Sequence, residues 1–359
     1  MSAVSVKRAS GKQFSRFGVK PEMEQNLEPA YPTIGSFFAD SPFVDRFQNG
    51  EPPVDVFIPI MHVNELWRAN LLSIYREIPV NRLILGNAGC TDETLAIAQE
   101  FPRVVVLDHR ELKSLGFSIR KMIEAVETDW FIYLHSDVCL PENWFDTMRR
   151  HQGEYDFFEC RQNITVFLED PLPMEDWRAY SGSQMGRKQA FEAILPMVDD
   201  DYLYRGEDVV FAELLRKHGK RYGKVAETWH YHQHLPRRTQ QTQFERKIQV
   251  SYNVTATRAE AVRSANMQAR AFVKYLDPRI EFVVPVREQV RQLIDLGETT
   301  WPDFLKWTAE VRPDWVQPLR RSIFRRRVRV LRDALMQSAY GMKAFARGIR
   351  QLLLPRGSD

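Results

Sequence analysis

Three histidines recur with period two in Thr228-Trp229-His230-Tyr231-His232-Gln233-His234, so they share one face of an extended strand. Imidazoles gathered in this way can hold a divalent metal. Alternate strand residues stand roughly 6.6 Å apart, so His230 and His234 cannot both bind one ion, and at most one or two of the three are ligands. Upstream, the short apolar run Phe131 to Leu134 ends in His135-Ser136-Asp137, where a buried strand would leave its sheet. A carboxylate at that place can hold a divalent cation between two phosphates of a nucleotide and offset the charge that develops when the diphosphate leaves. Taken alone, Asp137 reads more readily as a turn or cap residue. One His beside Asp137 suits Mn²⁺, and Mg²⁺ less well because Mg²⁺ favours oxygen.

Two further constellations carry chemistry. Glu207 and Asp208 open a helical pattern after Arg205-Gly206, where acids favour the helix N-terminus. A carboxylate in that position can also act as a general base on an acceptor hydroxyl. Asn87-Ala88-Gly89-Cys90-Thr91-Asp92 follows an apolar strand and precedes a helix, which makes it either a simple turn with a cap or a pocket for a nucleotide base and ribose. The three-glycine dinucleotide fingerprint is missing there, which argues against a Rossmann oxidoreductase.

These residues need a scaffold, and the surrounding pattern supplies one. Residues 1–50 mix Ser, Lys, Pro and Gly without periodicity and read as an extension. From Val54 the chain alternates VDVFIPI, RLILGN, RVVVLDH and FIYLHSD as strands with three helical stretches between them. Strands and helices in alternation predict βαβ units and a mostly parallel α/β sheet flanked by helices. Beyond Cys160 the pattern is irregular until the Glu207 helix and the strand-like ETWHYHQH. From about Gln240 it is helical, broken at Pro278, Pro285, Pro302, Pro313 and Pro318. The expected divisions are 51–238 for the catalytic domain, 239–318 for a helical region and 319–359 for a basic amphipathic helix and tail.

The 359 residues are 44% hydrophobic and 27% charged, which suits an ordinary folded chain with a sizeable core. A net charge of +3 and no recognition motif argue against nucleic acid as the partner. Three cysteines, Cys90, Cys139 and Cys160, without paired spacing fit neither a disulfide framework nor a zinc cluster, so a reducing cytoplasmic setting is expected. The N-terminus lacks the apolar core of a signal peptide, and no segment has the length of a membrane span.

From Val54 to His234 the chain resembles a nucleotide-sugar glycosyltransferase of the GT-A type, closest to the large family 2. Pro59 matches that family's base-binding segment, although Glu65 lies further on than usual. Asn87 stands where the family has a base-contacting Asp, and Asp92 ends the same segment. His135-Ser136-Asp137 matches the metal motif, with Asp137 as the metal-binding acid and His135 in place of the first acid, near ribose or metal. The resemblance implies a GT-A fold with a C-terminal helical extension and a metal cofactor, Mn²⁺ or Mg²⁺. It implies a nucleotide-diphosphate sugar donor and a hydroxyl acceptor such as a glycan or lipid-linked glycan. Asp208, paired with Glu207, becomes the catalytic base, with inversion at the anomeric carbon. His230 becomes a metal ligand, with His232 a close second. Arg120 or Lys121 falls where diphosphate or ribose contacts occur, and Ser181 to Arg187 where acceptor or leaving group binds, although these glycines also suit a plain loop. A retaining transferase and a noncatalytic nucleotide-sugar-binding scaffold are the rivals, the latter because Asn87 and His135 replace two acids.

The last stretch interleaves arginines with Ile323, Phe324, Val328, Leu331, Leu335, Phe345, Ile349 and Leu352. Residues 319–354 therefore read either as a helix packed on the body with a solvated basic face or as peripheral contact with the inner face of a membrane.

Overall fold

The structure, a computed structural model, describes residues 42–61, 63, 66–165, 180–199, 206–233 and 258–353. Glu65 and His234 lie outside them. The chain begins with β1 (Val54–Ile60), α1 (Trp67–Glu77), β2 (Val80–Asn87), α2 (Thr94–Gln99), β3 (Val104–Asp108), α3 (Leu115–Ala125) and β4 (Trp130–Leu134). These four strands are parallel, in the order β3-β2-β1-β4. Their carboxyl ends therefore lie along one edge, with Asn87 beside both Ile60 and Asp108 in register. The order reverses between β1 and β4, which is where open α/β sheets form a ligand crevice. Pro59 sits in β1 past Phe57, the last residue there in register with β4, so its missing N–H falls outside that ladder.

Alternation along the strands separates two cores. Phe57, Phe131 and Tyr133 face α3 and the later helices, while Val56, Ile58, Ile132 and Leu134 face Trp67, Leu71 and Trp144 on the other side. The runs are buried on both faces and so read as continuous apolar segments.

The second half of the sheet is mixed. It contains β5 (Val138–Cys139), β6 (Phe157–Thr165), β7 (Tyr180–Arg187) and β8 (Tyr222–Gln233), with α4 (Trp144–Arg149), α5 (Lys188–Glu192) and α6 (Glu207–Lys217) in between. The full order is β3-β2-β1-β4-β7-β6-β8-β5. The sequence read the stretch beyond Cys160 as irregular, and β6 and β7 correct that. Ser181 to Arg187 is not a loop: it lies in β7, antiparallel to β4. Its glycines have specific reasons. Gly182 has φ +88, and a Cβ there would stand 2.9 Å from His232 Nδ1; a Cβ on Gly186 would overlap the Phe131 ring.

Only three residues separate β4 from β5, a reach of at most about 14 Å from Leu134 to Val138. Three strands lie between them in the ladder order, which in a flat sheet would take roughly 19 Å. This part of the sheet must therefore curl back on itself. β8 contains the bend: Cys160 pairs with Val225 but Arg161 pairs with Trp229, so the strand bulges between them and re-aims its histidines.

The C-terminal part is helical: α7 (Arg258–Tyr275), α8 (Ile280–Asp295), α9 (Trp301–Val311) and α10 (Val316–Leu353). Pro278 and Pro313 fall in the breaks, whereas Pro285 lies inside α8 and Pro302 in the first turn of α9, where a missing N–H costs nothing. No helix among the described residues is long and apolar enough to cross a membrane.

Candidate active site

The curled half of the sheet brings His135, Asp137 and His232 together. One ligand atom from each lies within 4.8 Å of the others. His135 follows β4, and its backbone N–H donates to the Gly182 carbonyl at 2.9 Å. Ser136 contributes its backbone, accepting from Asn70 Nδ2 at 3.1 Å, which fixes the turn that carries Asp137. Asp137 then precedes β5, whose Val138 is in register with His232, and its Oδ1 lies 3.4 Å from His232 Nε2.

His230 does not join this group, although the sequence placed it first among the metal ligands. It is fully buried, with Nδ1 2.6 Å from Ser183 Oγ and 3.5 Å from Cys160 Sγ, and Nε2 3.4 Å from His232 Nδ1. Burial, followed by the neighbouring His232 and His135 rings, holds its pKa well below the usual histidine value, so it is neutral. In the tautomer that donates from Nδ1 to Ser183 Oγ, a neutral His230 accepts at Nε2. In that tautomer His230 Nε2 is the acceptor facing His232 Nδ1 at 3.4 Å, and the other ring nitrogen of His232 faces Asp137.

Glu207 is the first residue of α6 and is buried, while Asp208 is half-exposed. The Tyr133 hydroxyl donates to Glu207 Oε1 at 2.9 Å, and His135 Nε2 lies 3.8 Å from the same oxygen, an ion-pair distance rather than a hydrogen bond. Burial opposes ionisation of Glu207, but His135, its own backbone N–H and Tyr133 outweigh it and hold the carboxyl below its ordinary value. Burial likewise opposes charge on His135, and Glu207, Asp137 and Asp208 outweigh it, raising its pKa. Carboxylates that favour an imidazolium here would equally favour a metal cation. His135 Nε2 is a buried atom with no hydrogen-bond partner among the described residues. An orphaned imidazole nitrogen, a second imidazole and a carboxylate form a donor set that fits a divalent metal.

Beside this group, Glu159 on β6 faces Gln184 on β7, bonds the Tyr222 hydroxyl and is buried. Burial, then the charge of Asp208, pushes its carboxyl up to about 7. Neither Glu159 nor Cys160, one support of His230, carried a site signal in the sequence, and Ser183, the other support, lay in the stretch read for acceptor or leaving group. Tyr133 carried a weak one, as the polar-tipped member of an otherwise apolar strand.

The expected nucleotide residues are differently engaged. Asn87 Oδ1 accepts from the N–H groups of Gly89 at 3.0 Å and Cys90 at 2.8 Å, closing its own turn. Asp92 Oδ1 accepts from Thr94 N at 3.0 Å, and the Thr94 hydroxyl accepts from Val63 N at 3.3 Å. Arg120 donates to Glu124 and to the Val198 carbonyl, both at 2.8 Å, and Lys121 to Glu124 at 2.8 Å. Arg120 and Lys121 are thus engaged on their own helix and its neighbour, apart from the His-Asp-His group.

A half-parallel sheet with its crevice at the carboxyl edge, and a metal-competent cluster on that edge, belong to a nucleotide-sugar transferase of the GT-A class. Residues 55–190 match the model of Glycosyl transferase family 2, so that stretch of the chain resembles a glycosyltransferase domain of that family. The comparison with curated proteins found no match. Among solved structures, the chain is similar to Staphylococcus aureus TarS 1-349 in complex with UDP-GlcNAc, at 12% identity over 75% of this chain and 82% of that one, with a TM-score of 0.45. It is similar to the mannosyltransferase PcManGT from Pyrobaculum calidifontis in complex with GDP-Man and Mn²⁺, at 13% identity over 79% and 89%, with a TM-score of 0.44. It also matches the bifunctional IspDF from Campylobacter jejuni, at 11% identity over 49% of this chain and half of that one, with a TM-score of 0.36. Likenesses of this size say nothing about the ligand of this chain.

Proposed function

We propose that this protein moves a sugar from a nucleotide-diphosphate donor to an acceptor hydroxyl with inversion, using a divalent metal held by His135, Asp137 and His232. The observation that carries the reading is the convergence of these three side chains at the carboxyl edge of the sheet, on the same side as the opening turn of α6. Two imidazoles and one carboxylate favour Mn²⁺ over Mg²⁺. When bound, the metal would neutralise the diphosphate as it departs. The protein's own residues do the rest. Asn87 and Asp92 stiffen the turn beside the base, Pro59 lies along β1 next to it, and Ser136 holds the metal-strand turn through its backbone. Arg120 or Lys121 would reach the diphosphate only by exchanging its Glu124 partner. Glu207, held by Tyr133, orients His135. Asp208 at the exposed side of the same helix start takes the proton from the acceptor hydroxyl as that oxygen attacks. Acceptors of the glycan or lipid-linked glycan class, as in polysaccharide or glycoconjugate assembly, supply such hydroxyls.

Thermal unfolding of the purified protein with UDP, GDP, dTDP or CMP, each with Mn²⁺, Mg²⁺ or EDTA, tests the donor half, because ligands of the native state raise Tm. One nucleotide is expected to give a metal-dependent rise that disappears in Asp137→Ala; no rise with any of them would count against a nucleotide donor, and a rise without turnover would favour the noncatalytic scaffold. Asp208→Asn is expected to keep that rise while lowering kcat by about 10² to 10⁴. Retention of activity in Asp208→Asn, or a product of retained configuration, would assign a different mechanism.

A further inference from the structure

We propose that α10 lies flat on an anionic membrane surface through the face bearing Phe324, Val328 and Leu331. This goes beyond the transfer reaction and does not depend on it. The first turns of α10 pack on the body: Leu319 is fully buried, Arg287 bonds Ser322 Oγ at 3.0 Å, and Arg326 bonds Glu288. On a helix of 3.6 residues per turn these positions lie on one side, and Phe324, Val328 and Leu331 fall within roughly 60° of one another on the opposite side. That second set is solvent-exposed, at 67%, 49% and 63%. From Arg327 to Met336 every residue whose side chain is described is exposed, so the helix leaves the body there.

The stripe is bordered on both sides by cations. Arg320 and Arg327 flank it on one side, and Arg321, Arg325 and Arg332 on the other. Between Leu319 and Met336 there are seven arginines and one acid, Asp333. Arg332 pairs with Asp333, but Arg320, Arg321, Arg325 and Arg327 have no carboxylate within ion-pair distance among the described residues. Beside the helix, a cleft of about 240 Å³ between α8, α9 and α10 is lined by Arg287, Arg291, Arg326 and Arg327, but Glu288 and Asp295 pair the first three, so the uncompensated charge lies on the shoulders of the stripe.

An apolar ridge with arginines on both shoulders fits a lipid interface. The ridge enters the acyl boundary while the guanidinium groups meet headgroup phosphates. A second copy of the helix is a poor partner, since the same stripe would set arginine against arginine. Nucleic acid would engage the arginines but leave Phe324 and Leu331 uncovered. The helix is too polar to span, so it lies on the surface.

Flotation of the full chain with vesicles of phosphatidylcholine alone, or with phosphatidylglycerol added, tests this. Binding is expected only to the anionic vesicles and is expected to weaken with salt. Arg320→Gln with Arg321→Gln and Arg325→Gln should lower the partition constant by roughly 100-fold at low salt. Phe324→Asp with Leu331→Asp should lower it at least about 10-fold. All these positions are exposed, and an unchanged melting curve verifies folding. The proposal fails if native protein floats equally with both vesicles or with neither. It also fails if the Asp pair leaves binding intact while duplex DNA binds as tightly, which would mark a polyanion surface, or if the Asp pair instead abolishes self-association seen by light scattering.

Discussion

Asn87 and His135 both stand just where a parallel strand ends, yet one ends a self-contained turn and the other an unfinished cluster. Asn87 closes its own loop with the amides of Gly89 and Cys90, so its partners are two and three residues away. His135 meets Glu207 from α6 and His232 from β8, and its Nε2 has no hydrogen bond among the described residues. The Asn87 turn is thus built by local geometry, and the side-chain oxygen of Asn87 is already satisfied. The metal side is assembled from distant elements and retains a donor set whose charge and hydrogen-bonding capacity suit a cation. A preformed polar cluster of this kind is stable only because later strands hold it closed.

The sharpest way to break this contrast is at His230, which supports the metal side without belonging to it. His230→Phe keeps a buried ring but removes the acceptor for His232 Nδ1. It is expected to weaken Mn²⁺ binding by about 10- to 100-fold, measured by metal titration, with His230→Gln recovering part of the loss through its amide oxygen. Unchanged affinity in His230→Phe would show that His232 needs no such partner.

A smaller effect concerns Glu159, buried beside the same cluster. Its folded pKa of about 7 lies above the ordinary carboxylate value, so the native state holds the proton more tightly than the unfolded chain. Stability from this group is therefore present below the unfolded value and lost as pH rises through about 7. Glu159→Gln should raise stability by about 2 kcal/mol at pH 8 and by little at pH 5, read from denaturant melts. An equal gain at both pH values would mean that the carboxylate is not the cause.

The smallest effect is expected on the nucleotide side. Asn87→Ala removes two turn hydrogen bonds and should cost about 1 kcal/mol in the absence of any nucleotide, whereas Asn87→Asp keeps the acceptor and should cost almost nothing. If Asn87→Ala leaves stability intact but abolishes nucleotide-dependent stabilisation, Asn87 belongs to the binding site rather than to its own turn.

Much of the first half was legible. The runs from Val54, Leu83, Val104 and Phe131 are dense in β-branched and large apolar residues, are separated by helices of ordinary length, and form the parallel strands they suggest. Two of the period-two histidines, His230 and His232, do lie on a strand, β8, and His234 lies outside the described residues. The β6 and β7 strands were not legible, because Tyr180-Ser-Gly-Ser-Gln-Met-Gly-Arg187 is polar and glycine-rich. It forms a strand because Gly182 and Gly186 leave room for His232 and Phe131, a requirement set by neighbours remote in the chain.

The sequence by itself determined which residues stand at strand ends and helix starts: Asn87, His135, Asp137, Glu207 and Asp208. Those positions depend on local periodicity, turn chemistry and capping. Tertiary structure decided which of them meet. The bulge in β8 and the curl from β4 to β5 select His232 over His230 as the neighbour of Asp137. They also turn His230, through Ser183 and Cys160, into a buried support. Side-chain alternation is set by a single strand, but the direction in which that face points is set by the strands on either side, and these come from elsewhere in the chain.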